Sequence, residues 1–511
     1  MASLISFRPL AVPVLALLAL TLVRAAVCAA TPLSPDEAYY WVWSHALAPG
    51  YLDHPPMVAV FIRLGTLLAG QDPLGVRLLA PLAAAAGSAL LFFAGRDLCG
   101  ADADPAERRR TGLLAAILLN ATLILGAGAV TMTPDTPLLL FWTAVLAALG
   151  RAVRTAPRRP RSATAWWLAA GLAIGLALDS KYTAVLPGAG LAAWLLLSPS
   201  GRAHLRTPGP YLAALLAVLL FLPVLDWNRT HGWASLLKQG GRSADWHPAR
   251  AVQFELELLG GQLGLATPIL FAMFVLGIVR AARHRVPAAA GAERGPGQGG
   301  AALLAFTVLL PAAVFLQHAL GGRVQANWPA LLAPAAAIAA ARFAPRWRRS
   351  GTALGFALSV LLYLQAATAI LPLPRHLDPT LQRLAGWPEL ARAAARTATG
   401  AAGADGFLAA DEYGLASELA FALPGRTVLG VEPRWRLFRL SPARPASDGL
   451  LLISDRRRER PDPALWDRVE FFGTLVRGRN NRVAERYRLY RVHLRPGLPA
   501  IPAGSAVVRL P

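Results

Sequence analysis

The chain has 511 residues, 55% hydrophobic and only 16% charged, with a mean hydropathy of +0.44. These values exclude a set of soluble domains and point to a bilayer as solvent. The net charge of +22 does not signal nucleic-acid binding, because the basic residues sit mainly in short breaks between apolar runs and in the C-terminal segment. Two cysteines, Cys28 and Cys99, are too few for a disulfide scaffold or a metal cluster.

In chain order, stretches apolar enough to cross a hydrocarbon core of roughly 30 Å, which takes about 20 helical residues, begin near Leu10, Leu74, Gly112, Pro137, Ala163, Pro210, Leu263, Ala301, Trp328 and Thr352. A shorter run, Tyr182 to Ser198, carries Pro187 and brings the expected number to about eleven. The run Leu10 to Ala30 exceeds the roughly 7–15 residues of a signal-peptide core and precedes many other spans, so it reads as the first of them.

Arginines set the orientation. Arg8, Arg96, Arg108 to Arg110, Arg151, Arg154, Arg158, Arg159, Arg161, Arg202, Arg206, Arg280, Arg283, Arg285, Arg342, Arg346, Arg348 and Arg349 fall on one side if the spans alternate. The positive-inside rule makes that side cytoplasmic. The N-terminus is then inside, Val286 to Gly300 is a flexible cytoplasmic linker, and everything after about Leu371 lies outside.

The opposite loops hold the unusual residues: Ser34 to Pro56, Thr133 to Asp135, Asp179 to Tyr182, Asp226 to His247 and His318 to Trp328. They mix carboxylates, His, Arg, Asn and Trp, so charged chemistry is expected on the outer face. Trp227, Trp233 and Trp246 suit interfacial anchoring or sugar stacking.

The expected organisation is a polytopic α-helical membrane domain over residues 1–371, with a first outer loop at 31–73, followed by a small α/β domain over 372–511. In the latter, Gly406 to Ala410, Gly449 to Ser454, Val469 to Val476 and Arg486 to Leu494 read as strands, and Trp387 to Ala398 and Glu412 to Leu423 as helices. Asp411 and Glu412 are best placed as a helix cap.

Within the first outer loop, Ser34, Pro35 and Glu37 fit the N-cap, N1 and N3 positions of a capping box, so the Glu37 carboxylate is expected to reach back to the Ser34 N–H. Asp36 at N2 has no such obligation. It either complements the helix dipole or does chemistry. Tyr39, Tyr40, Trp41 and Trp43 suit a helix lying in the headgroup zone. Next, the double proline of Tyr51 to Met57 stiffens the backbone and fixes where Asp53 and His54 point.

The order Asp36-Glu37-Ala38-Tyr39-Tyr40-Trp41, Asp53-His54-Pro55-Pro56-Met57 and Gly75-Val76-Arg77-Leu78 resembles the bacterial members of the protein O-mannosyltransferase-like glycosyltransferases, which have the GT-C membrane fold. Thr133-Pro134-Asp135-Thr136-Pro137, Ser180-Lys181-Tyr182-Thr183, Trp227-Asn228, His231-Gly232-Trp233 and Gln325-Ala326-Asn327-Trp328-Pro329 extend the likeness over most of the chain. The resemblance implies a polyprenyl-phosphate sugar as donor and transfer on the outer face to a lipid, polysaccharide or protein.

It also implies that Asp36, with Glu37 beside it, lies at the catalytic centre. A carboxylate there can take the proton of an acceptor hydroxyl. If the acceptor is itself a phosphate, as in the aminoarabinose transferases of the same group, Asp36 instead orients or binds a cation. The departing phosphate needs positive charge, for which Lys181, Arg242, Arg323 and His54 are the candidates. Lys181 is the sharpest, as a lone Lys beside a span, with snorkelling as its alternative. Asp53, Asp135 and Asn327 complete the expected substrate-binding set. Asp53-His54 departs from the aminoarabinose transferases, which have an acidic residue followed by Lys before the double proline. No cofactor is specified. No His/carboxylate spacing forms a defined metal set, and a divalent cation stays an alternative. The rival reading is a flippase of lipid-linked sugars. Such a carrier would place polar, broken helices near mid-membrane, whereas the polar residues here cluster in outer loops.

Overall fold

The computed structural model describes residues 8–100, 103–156, 159–240, 246–284, 299–438, 446–457, 460–495 and 506–508. The chain forms two compact units, and neither is one continuous stretch. One comprises Met1–Ala25, Asp53–Val58 and Leu79–Leu362; the other comprises Ala26–Leu52, Ala59–Leu78 and Tyr363–Pro511.

Seven helices among the described residues are long and apolar enough to cross a membrane: Ala11–Ala30, Pro73–Leu98, Asp135–Thr155, Pro160–Leu178, Gly209–Thr230, Gly300–Ala319 and Pro345–Thr368. Two bent pairs, Tyr182–Leu197 with Pro199–Arg206 and Pro248–Ala266 with Pro268–Arg283, bring the number to nine if each counts as one span. Both bends fall at an X-Pro junction, where proline removes a helical N–H and pushes the preceding residue out of the α region. Thr267, before Pro268, has φ +66°.

The expected spans near Gly112 and Trp328 are shorter than the sequence suggests. Helix Pro105–Asn120 opens on Glu107 and three arginines, so its apolar part from Thr111 covers about 15 Å at 1.5 Å per residue. Trp328–Leu332 is a 3₁₀ turn and only Ala333–Phe343 is α-helical.

The helices of the first unit pack through small residues, as expected where lipid supplies no hydrophobic drive between helices. A Cβ at Gly171 would lie 2.4 Å from the Ala213 carbonyl oxygen, and one at Gly277 2.5 Å from the Ala340 nitrogen. The alanine run from Ala335 to Ala341 is buried throughout. One buried polar chain links three elements: Arg24 donates to Asn120 Oδ1 at 2.9 Å, and Asn120 donates to Ser88 Oγ at 2.8 Å.

The second unit contains a six-stranded sheet. Its strands are β1 (Phe407–Ala410), β2 (Val428–Gly430), β3 (Asp448–Ser454), β4 (Trp466–Arg479), β5 (Arg482–Leu494) and β6 (Ala506–Val508), in the order β4-β5-β3-β1-β2-β6. β1 pairs in parallel with β2 and β3, and the other pairings are antiparallel. The central strands are uninterrupted apolar runs, as parallel strands covered on both faces require. Asn480 and Asn481, with φ of 51° and 58°, make the two-residue turn between β4 and β5, where two left-handed residues match the strand twist.

The four strands and two helices expected from sequence all form, with helices at Trp387–Ala402 and Tyr413–Ala422. β2 and β6 were not anticipated, since three residues carry no periodicity.

Candidate active site

Two carboxylates at adjacent positions of helix Pro35–Ser44 meet opposite environments in the second unit. Glu37 is fully buried. Arg77 Nε donates to its Oε1 at 2.6 Å and Arg77 Nη2 to its Oε2 at 2.7 Å, while the Ser34 N–H and Oγ donate to Oε2 at 3.0 and 2.9 Å. Arg77 spends its other donors on the carbonyl oxygens of Cys28, Thr31 and Pro32 and on Thr31 Oγ1. Glu37 thus makes the expected helix-start contact, and both its oxygens are engaged by the fold.

Asp36 remains 38% exposed at its side chain. Its Oδ1 accepts from the Tyr413 hydroxyl at 2.9 Å, and its Oδ2 from Arg383 Nη1 at 3.3 Å. A carboxylate held by two donors and still open to solvent can accept a proton or a further hydrogen bond.

The aromatics Tyr39, Tyr40, Trp41 and Trp43 of this helix are buried against protein. Trp43 stacks on Tyr51 with centroids 4.2 Å apart, and Trp41 packs edge-on to Phe421 and donates to Gln71 Oε1 at 2.8 Å.

A second polar cluster lies in the first unit. Asp135 is the first residue of helix Asp135–Thr155, where the helix dipole favours negative charge. Lys181 Nζ donates to its Oδ1 at 2.7 Å and Asn327 Nδ2 to its Oδ2 at 2.7 Å. Three residues from three separate sequence motifs therefore meet. Lys181 projects from the break after helix Pro160–Leu178, in extended backbone with φ −160°, and is 4% exposed. It is paired inside the protein, not snorkelling. Nearby in sequence, Asp179 has burial pushing its carboxyl up to about 7, and its carbonyl accepts the Met57 N–H at 3.0 Å.

The Asp53-His54 segment is held from helix Ala234–Gly240. Lys238 Nζ pairs with Asp53 Oδ1 at 2.6 Å, and Gln239 Nε2 donates to the Asp53 carbonyl at 2.6 Å. His54 follows, half-buried. Arg323 pairs instead with Glu257 at 2.6 Å and is largely exposed. Arg242 lies outside the described residues. Among the described residues no group of three or more His, Cys, Asp or Glu is arranged to hold a metal ion.

Sequence reasoning missed Lys238, Arg383 and Tyr413. Lys238 had a signal: the chain has only two lysines, 181 and 238, among dozens of arginines, and they pair with the motif carboxylates Asp135 and Asp53. Tyr413 and Arg383 had none, being hundreds of positions from Asp36.

Residues 53–227 match the family described as dolichyl-phosphate-mannose-protein mannosyltransferase. Over 261 residues the chain is 31% identical to the lipid A galacturonosyltransferase RgtD of Rhizobium johnstonii; the match covers 50% of this chain and 51% of that protein, so the chain spans about half the length of the curated relative it matches. Two crystal structures of ArnT from Cupriavidus metallidurans share the fold. The one bound to undecaprenyl phosphate and the apo form both have a TM-score of 0.60, at 15% and 14% identity, with 93% of this chain and 97% of theirs covered. The chain thus shares the fold of these ArnT structures, and parts of it are similar in sequence to the mannosyltransferase family and to the galacturonosyltransferase.

Proposed function

We propose that the chain moves a sugar from a polyprenyl-phosphate donor to a lipid, polysaccharide or protein acceptor at the outer face of the cell membrane, with its N-terminus cytoplasmic and residues 372–511 outside. The observation that carries this reading is the contrast between neighbours: Glu37 is consumed by Arg77, while Asp36 is held and open. The relative named as a lipid A galacturonosyltransferase makes a lipid A-type glycolipid the first acceptor to test and a uronosyl group the first sugar. The ArnT structure that holds undecaprenyl phosphate makes a polyprenyl phosphate the donor carrier.

In the reaction, an acceptor oxygen attacks the anomeric carbon and the bond from that carbon to the phosphate oxygen breaks, with its electron pair leaving on the phosphate. Where the acceptor is a hydroxyl, Asp36 takes its proton; where it is a phosphate, Asp36 orients it. Lys181, held in place by Asp135, offsets the charge growing on the departing phosphate. Asp53 and His54, Asn327, Arg323 and, from sequence alone, Arg242 are the further substrate contacts of this reading.

The test is transfer of labelled sugar from short-chain polyprenyl-phosphate donors to extracted envelope lipids and glycans in proteoliposomes, wild type against Asp36→Asn. Label moving only with wild type is the expected result and identifies the acceptor fraction. Label moving equally with Asp36→Asn removes Asp36 from the chemistry. No transfer from any donor, with lipid-linked sugar crossing the bilayer, replaces the transferase with a flippase.

A further inference from the structure

The carboxylate of Asp36 stands at the start of a ten-residue helix, where a short side chain has free choice of rotamer unless something fixes it. Tyr413 is the first residue of helix Tyr413–Ala422, directly after β1 and the acidic pair Asp411-Glu412. Its hydroxyl donates to Asp36 Oδ1 at 2.9 Å. The contact is enabled by the next residue, because a Cβ at Gly414 would lie 2.7 Å from Pro35 Cβ. Glycine there lets the two helix starts come together and sets the phenol against Asp36.

Tyr413 is itself locked. Its main-chain N–H donates to Glu432 Oε2 at 2.9 Å. The Arg434 guanidinium lies 4.0 Å from its ring centroid and pairs with Glu432 at 3.0 Å. The Tyr39 ring, one turn along from Asp36 on the same helix, packs 4.6 Å from the Tyr413 ring. Such stacking of a guanidinium and a second ring leaves the phenol few alternatives. Arg383, by contrast, is 63% exposed and reaches Oδ2 at 3.3 Å, a pair that solvent weakens.

We infer that Tyr413 is a positioning residue of the transfer reaction: its hydroxyl, fixed by Glu432, Arg434 and Tyr39, sets the orientation of the Asp36 carboxylate and so which of its lone pairs faces the acceptor. This rests on the transferase reading and on Asp36 as the group that meets the acceptor. It assigns the C-terminal residues a part in the chemistry through one hydrogen bond.

The test is Tyr413→Phe, which keeps the ring, its packing on Tyr39 and Arg434, and the main-chain bond to Glu432, and deletes only the hydroxyl. A hydrogen bond to a charged group is among the stronger ones a side chain makes, and misplacement of a reacting group lowers the chemical step more than binding. The expected result is a fall in kcat of about tenfold or more, with KM for donor and acceptor within about twofold of wild type and the thermal midpoint unchanged. Arg383→Gln, which removes the solvent-weakened contact, should lower kcat by less than about threefold.

An unchanged kcat in Tyr413→Phe overturns the inference, and so does a fall in kcat that tracks a fall in thermal midpoint, which is what a merely structural tyrosine would give. If wild type and Asp36→Asn transfer equally well, the role of Asp36 fails and positioning falls with it. If wild type transfers, Asp36→Asn does not and Tyr413→Phe matches wild type, the inference alone is wrong.

Discussion

Arg77 brackets Glu37 through two nitrogens from 40 positions along the chain, at 2.6 and 2.7 Å, with both side chains almost fully withdrawn from solvent. Arg77 also satisfies three carbonyl oxygens of the segment that leads into the Asp36 helix. The pair therefore ties residues 28–37 to the start of the span after it, and its job is to hold the loop that presents Asp36.

Deleting one partner leaves the other charge buried and unpaired, which costs about 3–5 kcal/mol, whereas replacing both with apolar groups is often near neutral. Glu37→Gln and Arg77→Met should each lower the thermal midpoint in detergent strongly and reduce folded yield. The combined Glu37→Leu, Arg77→Met variant should recover much of the midpoint. If Glu37→Gln kept the wild-type midpoint and lost only kcat, Glu37 would move back into the chemistry.

Lys181 and Asp135 give a second, separable prediction. Lys181→Ala should raise KM for the phosphate donor by an order of magnitude or more, since a buried ammonium is the charge offered to the leaving group. Asp135→Asn removes the pairing that aims the ammonium, so it should raise the same KM. The two changes combined should cost less than their sum, as residues in contact do not act independently. Unchanged donor KM in Lys181→Ala would leave the ion pair a purely structural contact.

Two acidic groups outside the spans set opposite pH signatures on stability. Glu418 is buried in helix Tyr413–Ala422, and its Oε1 has no hydrogen-bond partner among the described residues. Burial, with the Glu37 charge adding to it, pushes its carboxyl well above the usual range against the pull of Arg477 and Arg77. For Asp378, burial pushes up but is outweighed by hydrogen bonds from Thr380 and the Leu381 N–H, by the Arg482 charge and by Gln365, so its carboxyl sits below its ordinary value. A carboxyl raised in the folded state contributes stability that is complete below the unfolded value of about 4.3 and is lost as pH climbs toward the folded one; a lowered carboxyl contributes stability present above about 3.9 and lost as pH falls. Thermal midpoints measured from about pH 2 to 8, a range that spans both unfolded values, should show Glu418→Gln gaining on wild type as pH rises. Asp378→Asn should be destabilised at neutral pH, with the gap closing toward acid. A pH-independent difference in either variant would show that its carboxyl does not titrate as stated.

The membrane character, the α/β character of the C-terminal residues and the helix start at Ser34 are legible in the sequence because each depends on local period or local capping. What depends on distant partners is not. The partners of the aromatic run from Tyr39 to Trp43, among them Tyr51, Phe421 and Gln71, cannot be read from the run itself. The helix near Gly112 looks like a span until its charged first turn is discounted. The motif residues Asp135, Lys181 and Asn327 do come together, and the helix start already separates Glu37 from Asp36, but the partners that engage these two, Arg77 and Tyr413, are not legible. Those two lie 40 and 377 positions away, and no local pattern connects them.

The expected orientation follows from arginine placement alone and is open to a direct experiment. Cys28 and Cys99 are both buried, so the native chain should give little background with a membrane-impermeant maleimide. Ala404, beside β1, and Arg109, in the arginine cluster of helix Pro105–Asn120, are exposed. Lys and Arg in short loops mark the cytoplasmic side, so in spheroplasts Ala404→Cys should label at once and Arg109→Cys only after permeabilisation. The opposite pattern would put Asp36 and the whole C-terminal segment inside, where a lipid-linked donor presented on the outer face would be out of reach. Labelling of both sites before permeabilisation would mean that an odd number of the short or bent helices does not cross, and the two bent pairs at Pro199 and Pro268 would be the first to recount.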